Sequence, residues 1–380
     1  MKNLSKHTSG FSLIELMIAM VLGIVIVGGC ISIFTGVVRS SSLNQTVSNL
    51  QSNARFALDT IGRDVRAAGF IGCSAERNVA LNVTVNNPPT TDLSRSAVTG
   101  YVVTDTTWSP QHPQSYTAAQ GVGQPVPGTH ALSVHYAEFP GFALESSMSS
   151  NNSSVELARR ADRQLSAGQL MVVSDCSSAD LFTISSVTKT NAKVTVSTGA
   201  SLVKPYEISS DFPDNTRAMP FVSTIYYVGD TQRISEEGDN VYSLYAHSFP
   251  YTAANPPLEL IEGVDQLVLE FGVRQTDGSM RYAVAGADGY RVEGVETVRV
   301  GLLLSSIGSY SEVDATRTYT LAGQSVSALV ASSETSTETQ EDPANGTPAP
   351  AAPTVTLSYP SSKKLRIPFN ATFNVRNRNI

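Results

Sequence analysis

The sequence predicts an α+β protein in which one long N-terminal α-helix packs on a predominantly antiparallel β head. Three observations support this fold class. An uncharged apolar run covers residues 16–38, an apolar stripe at helical spacing continues to Ala68, and short runs of alternating polarity follow along the remaining chain. We therefore expect a helix with a membrane half at residues 11–38 and an amphipathic half at residues 39–69, followed by a β-rich, exported head at residues 70–380.

The run at residues 16–38 is long and apolar enough to cross a membrane. At about 1.5 Å per residue it makes a helix about 34 Å long, which exceeds a hydrocarbon core of about 30 Å. Lys2 and Lys6 precede the run, and Arg39 is the only charge between its end and Arg55. The positive-inside bias therefore predicts a cytoplasmic N-terminus and export of the residues that follow the run. A cleaved signal peptide is the alternative, but the run is long for an h-region and no A-x-A-type site follows it.

The helix is predicted to continue beyond the membrane along the surface of the head. Its apolar residues recur at steps of three or four, as in a helix with one buried face. They are Leu43, Val47, Leu50, Ala54, Leu58, Ile61, Val65 and Ala68. Gly69 follows the stripe, and glycine at this position commonly caps a helix C-terminus. We therefore expect the helix to end at about Ala68.

Short runs that alternate apolar and polar residues predict the strands of the head. The clearest runs are residues 132–136, 169–174, 181–185, 193–197, 221–228, 266–273 and 296–304. Asp277-Gly278 follows one of these runs, and an Asp-Gly pair is typical of a tight turn between antiparallel strands. Two polar stretches that contain several prolines, residues 86–124 and 332–353, are predicted to be flexible segments of the head.

The C-terminal residues 354–380 contain basic but no acidic side chains, which are Lys363, Lys364, Arg366, Arg376 and Arg378. A β hairpin with an exposed basic face is the expected structure. A docking surface for an acidic partner subunit is the alternative.

Composition and motifs argue against several classes of function. The formal net charge is −7, which disfavours broad nucleic-acid binding because that activity usually shows an excess of Lys and Arg. The five histidines show no paired-ligand spacing, and neither a P-loop nor a Gly-x-Ser-x-Gly motif occurs. We therefore predict no catalytic site, no metal site and no cofactor.

The N-terminal residues 6–16, KHTSGFSLIEL, combine a basic leader with Gly10, Phe11 and a carboxylate at Glu15, the fifth residue after the glycine. This segment resembles the leader junction of type IV prepilins. In that family a prepilin peptidase cuts after the glycine and methylates the new N-terminus. The resemblance implies that residues 1–10 are a leader peptide, that cleavage separates Gly10 from Phe11, and that Phe11 is the N-methylated first residue of the mature protein.

Glu15 stands at the edge of the apolar run, and two interpretations are open. In an uncut chain, its carboxylate would sit at the level of the lipid headgroups. After the cut, the amine of Phe11 and the free N–H groups of the helix N-terminus favour a nearby carboxylate. We therefore expect Glu15 to pair with the Phe11 amine of a neighbouring subunit and to set the register during assembly.

Four further blocks resemble the PilW family of minor pilins: residues 63–73 (RDVRAAGFIGC), 174–182 (SDCSSADLF), 262–273 (EGVDQLVLEFGV) and 374–379 (NVRNRN). The resemblance implies a type IV pilin-like fold and a structural role in the priming or tip complex of a type IV pilus. It implies other minor pilins, the major pilin, prepilin peptidase and a large tip adhesin as partners. It also implies a location in the bacterial inner membrane before assembly, with the head in the periplasm, and then on the pilus.

The three cysteines allow one pairing outside the membrane. Cys30 lies in the apolar run, whereas the topology prediction exports both Cys73 and Cys176. A Cys73–Cys176 disulfide would join the end of the helix to the β head, and closing a loop of about 100 residues is worth up to about 4–5 kcal/mol in the chain-entropy model. Two independent buried thiols are the alternative.

Two other functions remain open from the sequence. A minor pseudopilin of a type II secretion system has the same leader and a similar head. A membrane-anchored, exported binding protein or enzyme would use the apolar helix only as an anchor.

Overall fold

The computed structural model describes residues 12–72, 80–86, 88–89, 93, 97–104, 108–112, 122–158, 165–190, 193–199, 201–208, 210, 215–252, 255–285, 287, 294–310, 316–329 and 357–377. The chain divides into two compact units, Met1–Ser52 and Asn53–Ile380. The first unit is helical where it is described, and the second contains the end of the same helix and the β head.

Helix α1 (Leu13–Ala67) confirms the predicted long N-terminal helix. In the first unit its large apolar side chains are exposed on every side, from Leu13 to Val38. Within the described part of the chain, α1 is the one helix with the length and composition to cross a membrane. An unbroken apolar surface of this kind requires lipid or apolar partners, since water solvates it poorly.

The strands of the second unit, in chain order, are β1 (Ala80–Val83), β2 (Val98–Val103), β3 (Trp108–Ser109), β4 (Gln124–Pro125), β5 (His130–Ala137), β6 (Phe142–Ala143), β7 (Ser154–Ala158), β8 (Leu170–Ser174), β9 (Ser178–Thr183), β10 (Ser186–Lys189), β11 (Lys193–Ser197), β12 (Arg217–Ile234), β13 (Asn240–Ser248), β14 (Leu258–Glu262), β15 (Val264–Arg274), β16 (Met280–Val284), β17 (Val295–Ser309), β18 (Tyr319–Leu321), β19 (Gln324–Leu329), β20 (Ser358–Pro360) and β21 (Lys364–Asn374). The seven strands predicted from alternating runs correspond to β5, β8, β9, β11, β12, β15 and β17.

The main sheet has the strand order β1-β9-β8-β12-β5-β2-β3, with β13, β4 and β6 also paired to β12, and β14 paired to β13. A second sheet has the order β16-β15-β17-β21, and two small sheets are β10-β11-β7 and β18-β19-β20. All pairings are antiparallel except β1 with β9 and β19 with β20. The predicted hairpin joins β15 to β16, and Gly278 at its tip has a positive φ of 84°. The predicted antiparallel head is thus confirmed among the described residues.

The last turns of α1 bury a narrow, small-residue face against the head. Ala54, Ala57, Ile61 and Val65 are buried there, whereas the predicted Leu58 is half-buried. Gly62 lets β21 approach closely, because a Cβ at this position would lie 2.4 Å from the ring of Phe373. Small side chains therefore determine how closely the helix fits the head.

Part of the predicted flexible segment at residues 86–124 is regular structure, so the prediction is wrong for those residues. β2 is buried along its whole length and pairs with β5 and β3. Tyr101 of β2 and Trp108 of β3 pack with Tyr227 in an aromatic cluster of the main sheet. Burial of such aromatic rings outweighs the polar composition around them. Residues 332–353, the other predicted flexible segment, lie outside the described residues.

The predicted hairpin with an exposed basic face is also wrong. The C-terminal residues form β21, which pairs with β17 across the chain rather than with a neighbouring strand. Lys364 and Arg366 are buried, because Lys364 donates to the Asn240 carbonyl (2.9 Å) and Arg366 forms an ion pair with the buried Asp265 (2.7 Å). Lys363 and Arg376 remain exposed, and Arg378 lies outside the described residues.

Candidate functional site

The predicted processing site lies at the edge of the described chain. Gly10 and Phe11 are outside the described residues, which begin at Ser12. Glu15 is in the first turn of α1, where the helix dipole favours a negative charge. Its side chain is exposed and its large apolar neighbours Leu13 and Ile14 are exposed too.

This environment makes Glu15 an isolated carboxylate on an apolar surface. Among the described residues no side chain forms a hydrogen bond or ion pair with it. A carboxylate at the centre of a bilayer costs about 2.5–3.5 kcal/mol on insertion scales, so a cationic partner lowers the free energy of any state in which Glu15 leaves water.

Two of the three cysteines, Cys30 and Cys176, lie among the described residues. Cys30 is a free, exposed thiol on the apolar part of α1. Cys176 is disulfide-bonded and has a positive φ of 67°. Cys73 lies outside the described residues, so its pairing with Cys176 stays a proposal.

Asp175 shapes the turn that presents Cys176. One carboxylate oxygen accepts hydrogen bonds from the backbone N–H groups of Ser177 and Ser178, both at 3.0 Å, and the other accepts from Lys204 at 2.6 Å. Burial alone would raise the pKa of Asp175, but the hydrogen bonds from Lys204 and Ser177 outweigh it and lower the pKa. The turn thus keeps a charged carboxylate beside the cysteine.

The junction between α1 and the head contains a site that the sequence analysis missed. Asp64 is 4% exposed, and its carboxylate accepts hydrogen bonds from the hydroxyls of Tyr226 (2.6 Å) and Tyr136 (3.2 Å). Asp64 falls between Ile61 and Ala68 on the buried side of the helix, at helical spacing. This spacing could have revealed Asp64 in the sequence, because an acidic residue on the buried face of a helix needs a hydrogen-bond or ionic partner.

Two of the described histidines, His130 and His135, form structural contacts between strands. In the part of the chain that the structure describes, no group of three or more His, Cys, Asp or Glu side chains could hold a metal ion. His135 lies between the hydroxyls of Ser133 (3.0 Å) and Ser223 (2.9 Å), so its imidazole joins β5 to β12. His130 accepts a hydrogen bond at Nδ1 from the backbone N–H of Leu269 (2.9 Å), which joins the main sheet to the second sheet.

Two family models match the chain. The prokaryotic N-terminal methylation motif matches residues 5–31, a range that contains Gly10, Phe11 and Glu15. The model of type IV pilus-assembly protein W, PilW, matches residues 225–377, which extend from β12 to the end of the described chain. No curated protein and no solved structure matches.

A methylation motif that leads into an apolar helix, followed by a β head, defines a type IV pilin-like protein. Such a protein is a structural, membrane-anchored component of a pilus system, and the family matches point to that class rather than to an enzyme. Within the class, the chain is PilW-like, and the resemblance found in the sequence is confirmed.

Proposed function

We propose that this chain is a minor pilin, a structural and nonenzymatic subunit in the priming or tip complex of a type IV pilus. The observation that carries the proposal is the order of features along one chain. The methylation motif at residues 5–31 runs into an apolar helix that is exposed on every side, and a PilW match follows at residues 225–377. The proposed partners are other minor pilins, the major pilin, prepilin peptidase and a large tip adhesin.

The proposed pathway begins in the bacterial inner membrane with the N-terminus in the cytoplasm and the head in the periplasm. Prepilin peptidase removes residues 1–10, and the new amine of Phe11 is methylated. Because the apolar part of α1 is exposed all around, it can exchange lipid for the apolar helices of neighbouring subunits with little loss of hydrophobic burial. In that step Glu15 pairs with the Phe11 amine of a neighbour, which sets the axial register.

The mature protein is expected to start at N-methylated Phe11. A peptide mass map of protein purified from cells with prepilin peptidase tests this expectation. The same map without reductant is expected to contain one cross-linked peptide pair with Cys73 and Cys176, and reduction should separate it. A mature protein that still begins at Met1 in such cells would contradict the proposed function, whereas unlinked Cys73 and Cys176 would contradict only the disulfide.

Glu15→Leu is expected to leave membrane insertion intact and to lower incorporation into pili by about 10- to 100-fold. The reason is the loss of a charge-assisted interaction worth about 1.5–3 kcal/mol, in a place where leucine is otherwise favourable. The measurement is the ratio of the chain in sheared pili to the chain in membranes, by immunoblot.

Two further variants control this experiment. Glu15→Gln keeps the size of the side chain but removes the charge, so it is expected to fail as Glu15→Leu does. Thr35→Leu adds apolar surface in the same helix without removing a charge, and the Thr35 hydroxyl bonds only within its own helix in the described structure, to Ile31 and Ser32. Incorporation of Glu15→Leu at the level of Thr35→Leu would contradict a role of the carboxylate in assembly.

The methylation motif alone also fits a minor pseudopilin of a type II secretion system. The match to pilus-assembly protein W favours the pilus. Deletion of the gene separates the two functions, because loss of secretion with intact pili would support the pseudopilin.

A further inference from the structure

We propose that Asp64, Tyr136, Tyr226 and Asn377 form a clamp that fixes the register of the last turns of α1 against the head. The clamp would keep the head in place on the helix when a subunit is drawn from the membrane into a filament. This second part rests on the proposed function, whereas the clamp itself rests on the contacts of the second unit alone.

The first half of the clamp is a buried carboxylate held by two strands. Tyr136 belongs to β5 and Tyr226 to β12, which are neighbours in the main sheet. Their hydroxyls bind different oxygens of Asp64, Tyr226 to Oδ2 and Tyr136 to Oδ1. Burial, followed by the charge of Asp64, raises the pKa of both tyrosines, so each hydroxyl keeps the proton that it donates. Arg63 also contacts Oδ1 (3.3 Å), but its side chain is 74% exposed and water screens its charge.

The second half of the clamp closes the end of the helix. The side-chain amide of Asn377 donates to the carbonyls of Ala67 (3.3 Å) and Ala68 (3.4 Å), two of the last carbonyls of the helix. The Ala67 carbonyl also accepts from the backbone N–H of Phe70 (3.2 Å). Gly69 donates its backbone N–H to the carbonyl of His135 in β5 (2.9 Å) rather than to a carbonyl of its own helix. A Cβ on Gly69 would lie 1.9 Å from the Asn377 carbonyl oxygen, so only glycine permits this approach.

The polar contacts of this helix segment add to the register that its apolar packing sets. The buried face has Ala54, Ala57, Ile61 and Val65 at steps of three or four, so a slip of one turn, about 5.4 Å, places an apolar residue of different size where another was, which leaves a cavity or overpacks the site. Asp64 has no such equivalent, because Thr60 and Ala68 flank it one turn away on the same side. Hydrogen bonds to the two tyrosines therefore distinguish the native register from its neighbours.

The test uses the full chain in detergent micelles and amide hydrogen exchange followed by mass spectrometry. Asp64→Asn retains the shape of the side chain but removes the charge, and Tyr226→Phe removes one donor. Each is expected to speed exchange in residues 53–68 by about 10-fold or more, from the loss of a hydrogen bond to a charged group, with β15 and β17 unchanged. The double variant is expected to exchange less than twice as fast as Asp64→Asn, because both changes remove the same interaction.

Asp59→Asn is the matched control, since Asp59 is an exposed carboxylate on the same helix. Asn377→Ala is a second, milder variant that removes only the helix-end contacts, and it is expected to speed exchange at residues 64–68 alone. Exchange in Asp64→Asn equal to that in Asp59→Asn would overturn the proposal. An equal loss of protection in β15, β17 and the helix would overturn it as well, since Asp64 would then stabilise the whole head without a specific role in register.

Incorporation into pili tests the second part of the proposal. Asp64→Asn is expected to reach the membrane at the wild-type level and to enter pili several-fold less well, whereas Asp59→Asn enters normally. Normal entry of Asp64→Asn would contradict the link to assembly. A wild-type chain that never enters pili would contradict the proposed function. The clamp would then be tested by the hydrogen-exchange experiment alone.

Discussion

Replacing Arg366 by Met is expected to destabilise the head by about 3–5 kcal/mol, because the change leaves a buried carboxylate without its cation. The side chains of Arg366 and Asp265 are 1% and 2% exposed, and Nε lies 2.7 Å from Oδ2. The other guanidinium nitrogens donate to the carbonyls of Ser362 and Pro360 (both 2.8 Å) and to the Ser362 hydroxyl (2.6 Å). Asp265 also accepts from the Ser305 hydroxyl (2.8 Å). Urea unfolding of the full chain, followed by circular dichroism of the strands, measures the change.

Lys363→Met is the control for this prediction, because Lys363 is a basic residue of the same segment with an exposed side chain. It is expected to change the free energy of unfolding by less than about 0.5 kcal/mol. The double variant Asp265→Leu with Arg366→Met removes both charges and is expected to recover part of the loss, as paired apolar replacements of buried ion pairs often do. Equal stability of Arg366→Met and Lys363→Met would show that the ion pair contributes nothing.

Lowering the pH from 7 to 4.5 is expected to cost the head about 2–3 kcal/mol for each of two buried histidines. Burial lowers the pKa of His130 to about 4. Burial and then the nearby His112 lower the pKa of His135 to about 3. Because the folded pKa values lie below the ordinary value of 6.5, the unfolded chain binds these protons first. Stability is therefore complete above about pH 6.5 and decreases as the pH falls toward the folded values.

Urea unfolding at several pH values between 4.5 and 7.5 gives the free energy of unfolding at each pH. Its slope against pH gives the number of protons taken up on unfolding. His130→Asn and His135→Asn are each expected to reduce the uptake near pH 5 by about one proton, and the double variant by about two. Lys363→Asn is the control, because it replaces an exposed side chain of the head and removes no buried imidazole. If both histidine variants take up as many protons on unfolding as the wild type, these imidazoles are already charged in the folded head.

The sequence predicts those parts of the fold that depend on local patterns. The apolar run and the stripe after it predict α1, alternation predicts strands such as β5 and β11, and the Asp277-Gly278 pair predicts the turn between β15 and β16. Each of these signals lies within a few neighbouring residues, so periodicity alone reveals it.

The sequence does not predict contacts whose partners are distant in the chain. Arg366 looks like an ordinary surface charge, and the helical spacing that places Asp64 on the buried face does not show its partner. Tyr226 lies 162 residues from Asp64, and Asp265 lies 101 residues from Arg366. Burial of a charge depends on such a partner, and no local pattern shows that the two will meet. β2 was missed for a related reason, because its aromatic partner Tyr227 belongs to a strand much later in the sequence.

The candidate assembly site is predicted from a motif rather than from a fold pattern. The spacing of Gly10, Phe11 and Glu15 is what predicts them, and the methylation-motif match covers residues 5–31, the range in which they lie. The structure adds the exposed, apolar surroundings of Glu15. The proposed partner of Glu15, the Phe11 amine of a neighbouring subunit, belongs to a second chain, so no pattern in this sequence tests the pairing.

The contact between Asn377 and the end of α1 also sets an order of events during synthesis. The Asn377 amide binds the Ala67 carbonyl across 310 residues of chain. At a synthesis rate of about 5–20 residues per second, about 15–60 s pass between the synthesis of Ala67 and the synthesis of Asn377. During this interval helix α1 is already made while its junction with the head is unfinished, since β21 and Asn377 come much later in the chain. A chain that terminates before Asn377 therefore contains the helix without the contact that closes its C-terminal end.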